Sequence, residues 1–464
     1  MSTHPDLAAV LARIDADFPA TVERLKQLVR IPSCSFPGFD PKHLIASAEA
    51  TAAWLRDVGY PEVKLVGCGD APPYVIAKDH RAGPNAPTLL LYAHHDVQPP
   101  LRQDVWQSPP FDPVERDGRL YGRGAADDKA GIVLHAAAAA AWNAVAGKPP
   151  VNLTVVIEGE EEVNSPHFSR FLATHRAELA ADCLIIADLV NLDTGLPTLT
   201  TSLRGLVAVE VELRALTKPL HSGMWGGVVP DPALALCRLL ARLSDDHGRI
   251  AIPGVYDAVR PLSDADRAEL ARVPYDSMLF AAQAGLVKPE HATPDGVTHH
   301  ARLWREPALG VNAIQSGTRG QTGNVVMDAA WARVGIRIVP DQRAEDILAK
   351  LTAFLHRHAP AHMELSVKPV ANGEAWATRS DHPAFAAARR ALECGYGVTP
   401  VEAGCGASVP FVGEMSAALG GVPALLLGVE DPICAAHAEN ESVPLDDLRK
   451  AVRAEAALFA FIGQ

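Results

Sequence analysis

The sequence predicts an α/β protein in which a domain with a largely parallel sheet is interrupted by an inserted α+β domain. Three observations lead there. Apolar runs of strand length stop abruptly at polar clusters, as in Leu89-Leu-Leu-Tyr-Ala-His-His-Asp96, the pattern of a buried strand whose C-terminal end carries chemistry. Segments of helical texture alternate with these runs as far as Asp188. After Arg204-Gly205 the texture changes to strict apolar/polar alternation, which marks a sheet with one buried face.

The elements follow in order. Leu7, Leu11, Ile14, Phe18, Val22, Leu25 and Val29 recur at steps of three and four, one face of a helix or of two helices divided at Pro19. Ser47 to Leu55 reads as a further helix, followed by strands at Val63 to Val66, Tyr74 to Ala77 and Thr88 to Ala93. A Pro- and Gly-rich loop reaches Gly124 and holds a short strand at Arg119 to Tyr121. The helix from Ala130 to about Ala146 is nearly all alanine in its middle, which signals close packing against a neighbour. Buried strands return at Val151 to Ile157, Leu184 to Ala187 and Leu425 to Val429.

In the inserted part, Val207, Val209, Val211 and Leu213 alternate with Ala208, Glu210, Glu212 and Arg214. A helix is expected from about Asp231 to Leu243, with Pro232 near its start. A long irregular insertion occupies roughly 250–310. Beyond it, strands at Trp331 to Ile338 and Glu364 to Val367 flank a helix from Glu345 to Leu355. Asp381-His-Pro-Ala starts a helix of the first domain, so the expected boundaries are 1–205 with 382–464, and 206–381.

The bulk numbers agree with a two-domain globular protein. At 464 residues the chain exceeds one ordinary core, and 48% hydrophobic against 21% charged residues excludes a disordered chain. Net charge is −13 and no Lys/Arg-rich run occurs, so nucleic acid is excluded as a partner. No window approaches the ~18 uninterrupted apolar residues of a membrane span. Met1-Ser-Thr-His-Pro-Asp6 lacks a basic segment followed by an apolar core, so a cytoplasmic protein without membrane association is expected. Cys34, Cys68, Cys183, Cys237, Cys394, Cys405 and Cys434 show no CxxC spacing and read as reduced, mostly buried thiols rather than metal ligands.

Four apolar runs thus end in His or carboxylate groups: His94 and Asp96; Glu160, Glu161 and Glu162; Asp188; and a loop with His437 and Glu441. Asp127 and Asp128 add two more at the turn into the alanine-rich helix. Two divalent metals sharing a site need about six to eight donors, usually with a bridging carboxylate. This donor set of carboxylates and imidazoles suits Zn²⁺, Mn²⁺ or Co²⁺. Each cluster also has a plain structural reading: a core histidine, a solvated glutamate face, a helix N-cap. Convergence decides between them, because several carboxylates buried together demand compensating cations.

His94-His95-Asp96-Val97, Gly122-Arg-Gly-Ala-Ala-Asp127-Asp128-Lys129, Glu158-Gly-Glu-Glu161-Glu162, Asp188 and His437-Ala-Glu-Asn-Glu441 together resemble the M20 family of di-metal peptidases and amidohydrolases. The likeness covers nearly the whole chain and is closest to the carnosinase-type and PepV-type dipeptidase branch. It implies a phosphorylase/hydrolase-like catalytic domain with an inserted lid that mediates homodimerisation. It further implies two divalent ions, Zn²⁺ foremost, on His94, Asp127, Glu162, Asp188 and His437, with Asp127 bridging and a non-proline cis peptide at Asp127-Asp128.

By the same resemblance Glu161 is the general base for a metal-bridging hydroxide, since a water between two cations is acidified toward neutral pH. Asp96 supports His94 from behind, while His95 points to the other side of the strand and binds nothing. His221, in Leu220-His-Ser-Gly-Met-Trp-Gly-Gly227, corresponds to a lid histidine that stabilises the oxyanion, supplied by the partner subunit. Arg337, with Gly406 and Ser408 of Gly406-Ala-Ser-Val-Pro410, corresponds to the group that holds a substrate carboxylate.

Two departures stand out. Asn324 occupies the place of a threonine, and Glu402-Ala-Gly-Cys-Gly406 lacks the Arg-Glu pair that precedes the glycine loop in the dipeptidases. The implied reaction is cleavage of the amide bond of a dipeptide or similar small substrate with a free carboxylate. The alternatives are an amidase or deacylase of N-acyl amino acids, and a catalytically silent binding protein on the same fold.

Overall fold

A computed structural model describes residues 4–321, 323–409 and 411–464. By internal contacts it divides into two units, Met1–Thr201 with Thr378–Ala403 and Phe411–Gln464, and Ser202–Ala377 with Gly404–Pro410. The loop at 404–410, expected in the first domain, thus groups with the second, where Arg204 and Arg337 bind it. Pro410, Thr322 and Met1 to Thr3 lie outside the described residues.

At the centre of the first unit, four parallel strands lie in the order Asn152–Glu158, Thr88–His94, Cys183–Ile186 and Ala424–Leu426. Their register pairs His94 with Glu158, Tyr92 with Ile186, and Leu426 with Ile186, so the C-terminal ends come out along one edge. The sheet is mixed at its flanks. Glu62–Val66 and Tyr74–Asp79 run antiparallel on one side, and Thr198–Leu203 antiparallel to Ala424–Leu426 on the other. Such antiparallel borders do not need the long crossovers that parallel strands require.

Period-two alternation sorts the His94 strand between two helical layers. Leu89, Leu91 and Ala93 join the core formed with the helices Leu7–Val29, Lys129–Ala146 and Leu445–Ile462. Tyr92 faces the opposite layer, 4.4 Å from Phe411 and 6.0 Å from Phe168 between ring centroids. Leu7–Val29 is one continuous helix through Pro19. The alanines of Lys129–Ala146 are mostly buried, as their small size allows. Gly395 lets the helices Pro383–Tyr396 and Leu445–Ile462 approach closely, since a Cβ there would lie 2.5 Å from the Lys450 carbonyl oxygen.

The second unit holds a four-stranded antiparallel sheet in the order Ala308–Gln315, Ala329–Ile338, Gly205–Arg214 and Glu364–Gly373. Val207, Val209, Val211 and Leu213 are buried beneath the helices Pro232–Ala241 and Ala344–His358, through Leu236, Leu239, Ile347 and Leu351. The insertion is less irregular than its composition suggests. It contains the helices Asp264–Leu270, Ser277–Gln283 and Gly296–Trp304, each started by a side-chain cap from Ser263, Asp276 or Asp295. No helix among the described residues is long and apolar enough to cross a membrane.

Candidate metal centre

The strand ends of the first unit deliver their polar residues to one place. His94 is the last residue of its strand, Glu161 and Glu162 open a short 3-10 turn after Asn152–Glu158, and Asp188 lies two residues past Ile186. His437 comes from the loop after Ala424–Leu426, with a left-handed backbone at φ 62°, uncommon for a residue with a Cβ. Asp127 arrives from the bend before helix Lys129–Ala146 and is joined to Asp128 by a cis peptide bond.

Asp127 divides its carboxylate between two imidazoles. Its Oδ1 is 3.0 Å from His94 Nε2 and its Oδ2 is 2.9 Å from His437 Nε2. Asp188 Oδ2 lies 3.8 Å from His94 Nε2, and Glu162 Oε2 3.3 Å from His437 Nε2. The result is two triads, His94-Asp127-Asp188 and Asp127-Glu162-His437, in each of which the donor atoms fall within 4.8 Å of one another. Glu161 Oε2 stands beside them, 4.0 Å from His94 Nε2.

The donor chemistry fits a metal. His94 Nδ1 lies 3.1 Å from the Asp96 carbonyl oxygen, which can only accept, so Nδ1 keeps its proton and Nε2 is the ring atom whose lone pair a metal would take, displacing the second proton that the nearby acids otherwise hold on the ring. That Nε2 is buried and has no hydrogen-bond partner, while it faces the two aspartates. A cation at this position satisfies the orphaned lone pair and the carboxylates together.

Electrostatics gives the same picture. Burial pushes Glu161 up to about 8, helped by Glu162, Asp127 and Asp96, and burial with Asp127 brings Glu162 to about 7. Burial, then Asp128, raises Asp188 well above the usual carboxylate range. Hydrogen bonds that it donates to Asp127 and Glu162 lift His437 to about 11. Burial opposes the His94 imidazolium, yet Asp127, Asp96 and Asp188 outweigh it and raise its pKa. The site is a concentration of negative charge that a divalent ion would relieve.

Several neighbours hold this arrangement. Asp96 accepts the backbone N–H of Glu161 at 3.2 Å and of Glu162 at 3.1 Å, and the Ser35 hydroxyl at 2.7 Å. One buried acid therefore orients His94 and both glutamates. Asp128 caps the alanine-rich helix at Gly131 and accepts the His94 N–H at 3.1 Å. Gln98 donates to Glu162 Oε2 at 2.7 Å. Glu160 is turned away, bonded to Tyr74 and His167. His95 joins neither triad: its Nε2 faces the Pro73 carbonyl at 3.1 Å, and burial lowers its pKa to about 4.

Glu441 lies in a motif whose likeness is visible in sequence, but its role is not. It takes N–H donors from Gly124, Ala126 and Asp127 and pairs with Arg123 at 2.5 Å, all buried. Ser35 and Gln98 carry no recognisable signal beyond standing near Cys34 and Asp96 in the chain.

The remaining candidates belong to the second unit. Arg337 Nη1 donates to Ser408 Oγ at 2.7 Å, and Arg204 Nε, which no motif pointed to, donates to the Gly406 carbonyl at 3.0 Å. His221 sits on a two-residue strand paired with Val325–Val326, exposed, with its Nδ1 accepting the Gly223 N–H at 3.1 Å. Asn324 is exposed and its carbonyl accepts the Ser222 N–H at 2.8 Å.

The family described as Peptidase family M20/M25/M40 matches residues 90–460. The chain is 30% identical over 454 residues to a cysteinylglycine-S-conjugate dipeptidase of Corynebacterium striatum, covering 95% of each. It is 27% identical over 480 residues to the Cys-Gly metallodipeptidase DUG1 of Saccharomyces cerevisiae, covering 99% of this chain and 98% of that one. The crystal structure of human carnosine dipeptidase 1 superposes with a TM-score of 0.90 at 25% identity over the full length of both chains.

Proposed function

Because the chain belongs to peptidase family M20/M25/M40, we propose that this metallopeptidase hydrolyses the amide bond of dipeptides or similar small substrates with a free carboxylate. The observation that carries this reading is the shared carboxylate of Asp127, with Glu161 beside it. A bridging ligand, two flanking triads and an uncommitted carboxylate are what two-metal hydrolysis requires.

His94, Asp127 and Asp188 would hold one divalent ion, and Asp127, Glu162 and His437 the other; the oxygen and imidazole donors favour Zn²⁺, with Mn²⁺ or Co²⁺ as substitutes. Such ions, when bound, polarise the scissile carbonyl and make water a nucleophile near neutral pH. Glu161 takes the proton of the attacking water on its carboxylate and passes it to the departing amine. Asp96 keeps Glu161 and Glu162 in register through their backbone N–H groups. Arg337, Ser408 and Gly406 hold the substrate carboxylate, with Asn324 a further contact.

His221 stabilises the oxyanion. Its Nδ1 is engaged as an acceptor, which leaves an Nε2–H donor on an exposed ring. Met224, Trp225 and Val228 beside it are 74%, 45% and 82% exposed, an apolar patch of the kind that subunit contacts cover. This supports a homodimer formed through the second unit, with His221 acting on the partner subunit's centre. A cytoplasmic location belongs to the same reading.

The test is an assay of the metal-loaded protein on Cys-Gly and β-Ala-His against N-acetyl amino acids. Release of free amino acids from the dipeptides, abolished by a chelator, is the expected result. Turnover of the N-acetyl compounds alone would replace dipeptidase by deacylase.

A further inference from the structure

Two guanidinium groups meet at one loop of the second unit. Arg204, immediately before strand Gly205–Arg214, reaches the Gly406 carbonyl, and Arg337, on the paired strand opposite Leu206, reaches Ser408. Both are half-buried. Among the described residues neither forms an ion pair with a carboxylate. Burial, then the charge of Arg337, brings Arg204 down to about 10, burial lowers Arg337, and the Cys405 thiol of the same loop acts against the lowering in both; a guanidinium stays cationic at neutral pH.

The loop that they share is seated firmly. A Cβ on Gly404 would lie 2.7 Å from Trp304 Cβ and Cγ and 2.8 Å from Ser202 Oγ. One on Gly406 would lie 3.0 Å from Arg204 Nη2 and from Leu303 Cδ1. The helix Gly296–Trp304 of the insertion therefore backs the loop to which both cations are bonded. Rigid elements on two sides fix the guanidinium forks.

We propose that Arg204 and Arg337 form a dicationic pocket that selects substrates whose C-terminal residue carries a second acid group, the Asp- or Glu-terminated dipeptides. This rests on the dipeptidase reading of the site. A single α-carboxylate would neutralise one guanidinium and leave the other half-buried without compensation. Two carboxylates match both the charge and the planar forks, each of which keeps most of its N–H donors after one bond to the loop.

The metal-loaded enzyme is assayed with Ala-Glu and Ala-Asp against Ala-Gln and Ala-Asn. The expected kcat/KM is roughly 10- to 100-fold higher for the acidic member of each pair, the range of a charged hydrogen-bonded contact. Arg204→Met should lower kcat/KM for Ala-Glu at least about tenfold more than for Ala-Gln. Arg204→Lys should restore part of the preference. Equal losses on both substrates, or no preference in the parent enzyme, would overturn the pocket and make Arg204 a partner on the single carboxylate or a packing residue.

If no dipeptide is cleaved, the dipeptidase reading fails and the pocket is judged by binding. Calorimetry of L-glutamate against L-glutamine, with parent and Arg204→Met protein, must then show tighter glutamate binding that the substitution removes. Equal affinity for the two overturns the proposal.

Discussion

The backbone N–H of Asp127 donates to Glu441 at 3.1 Å, across 314 positions of sequence. The same carboxylate gathers Gly124, Ala126 and Arg123, so a single acid holds the bend that presents the shared ligand. Removing it would strand a buried guanidinium and three N–H groups. Glu441→Ala should cost about 3–5 kcal/mol of stability by urea unfolding and about 10- to 100-fold in metal affinity.

Asp127 contributes an oxygen to each triad, whereas Asp188 and Glu162 each serve one. Metal analysis of the variants should separate them. Asp188→Ala and Glu162→Ala should each lose about one equivalent of metal, and Asp127→Ala most of both. Stripping the parent protein with a chelator should abolish turnover, and readdition of Zn²⁺, Mn²⁺ or Co²⁺ should restore it. Full occupancy in Asp127→Ala would refute the bridge.

Glu161 belongs to neither triad, although its Oε2 stands 4.0 Å from His94 Nε2. Glu161→Ala should keep its metal content while kcat falls by about 10²- to 10⁴-fold, the usual range for a lost general base. Parental kcat in a metal-replete variant would remove Glu161 from the mechanism.

His300 is stacked on Trp304, with ring centroids 4.4 Å apart, and burial, then His299, pushes its pKa down to about 4. Between that value and the ordinary 6.5 the unfolded chain binds the proton and the folded one does not, so stability rises with pH across this window and is lost as pH falls. His300→Phe keeps the ring stack and removes the titration. Its urea stability should show a slope smaller by up to about 1.4 kcal/mol per pH unit. Coincident slopes for variant and parent, both metal-stripped, would show that His300 is not the group responsible.

The parallel core was legible because its strands are uninterrupted apolar runs, and Leu89 to His94 ends where the run ends. What escaped were features with no pattern of their own. Glu441 acts through backbone N–H groups far away in the chain, and a lone acid in a loop gives no hint of which bend it will hold. Arg204 became notable only once folding brought it to the same loop as Arg337. The helices of 264–304 are only seven to nine residues long, too short for an apolar period to repeat, and each begins at a side-chain cap. Ala308–Gln315 is an edge strand with Val311 and Ile314 exposed, so no alternation betrays it.

The strand Ala424–Leu426, which closes the parallel core beside Cys183–Ile186, is translated after the whole of the second unit. A nascent chain therefore emerges from the ribosome with Cys183–Ile186 unpaired on that side, an open sheet edge of the kind that invites association with other chains. His94, Asp127 and Asp188 leave the exit tunnel together and early, while His437 follows much later. Folding of this protein during synthesis must accordingly protect that open edge until residues 424–426 have been made.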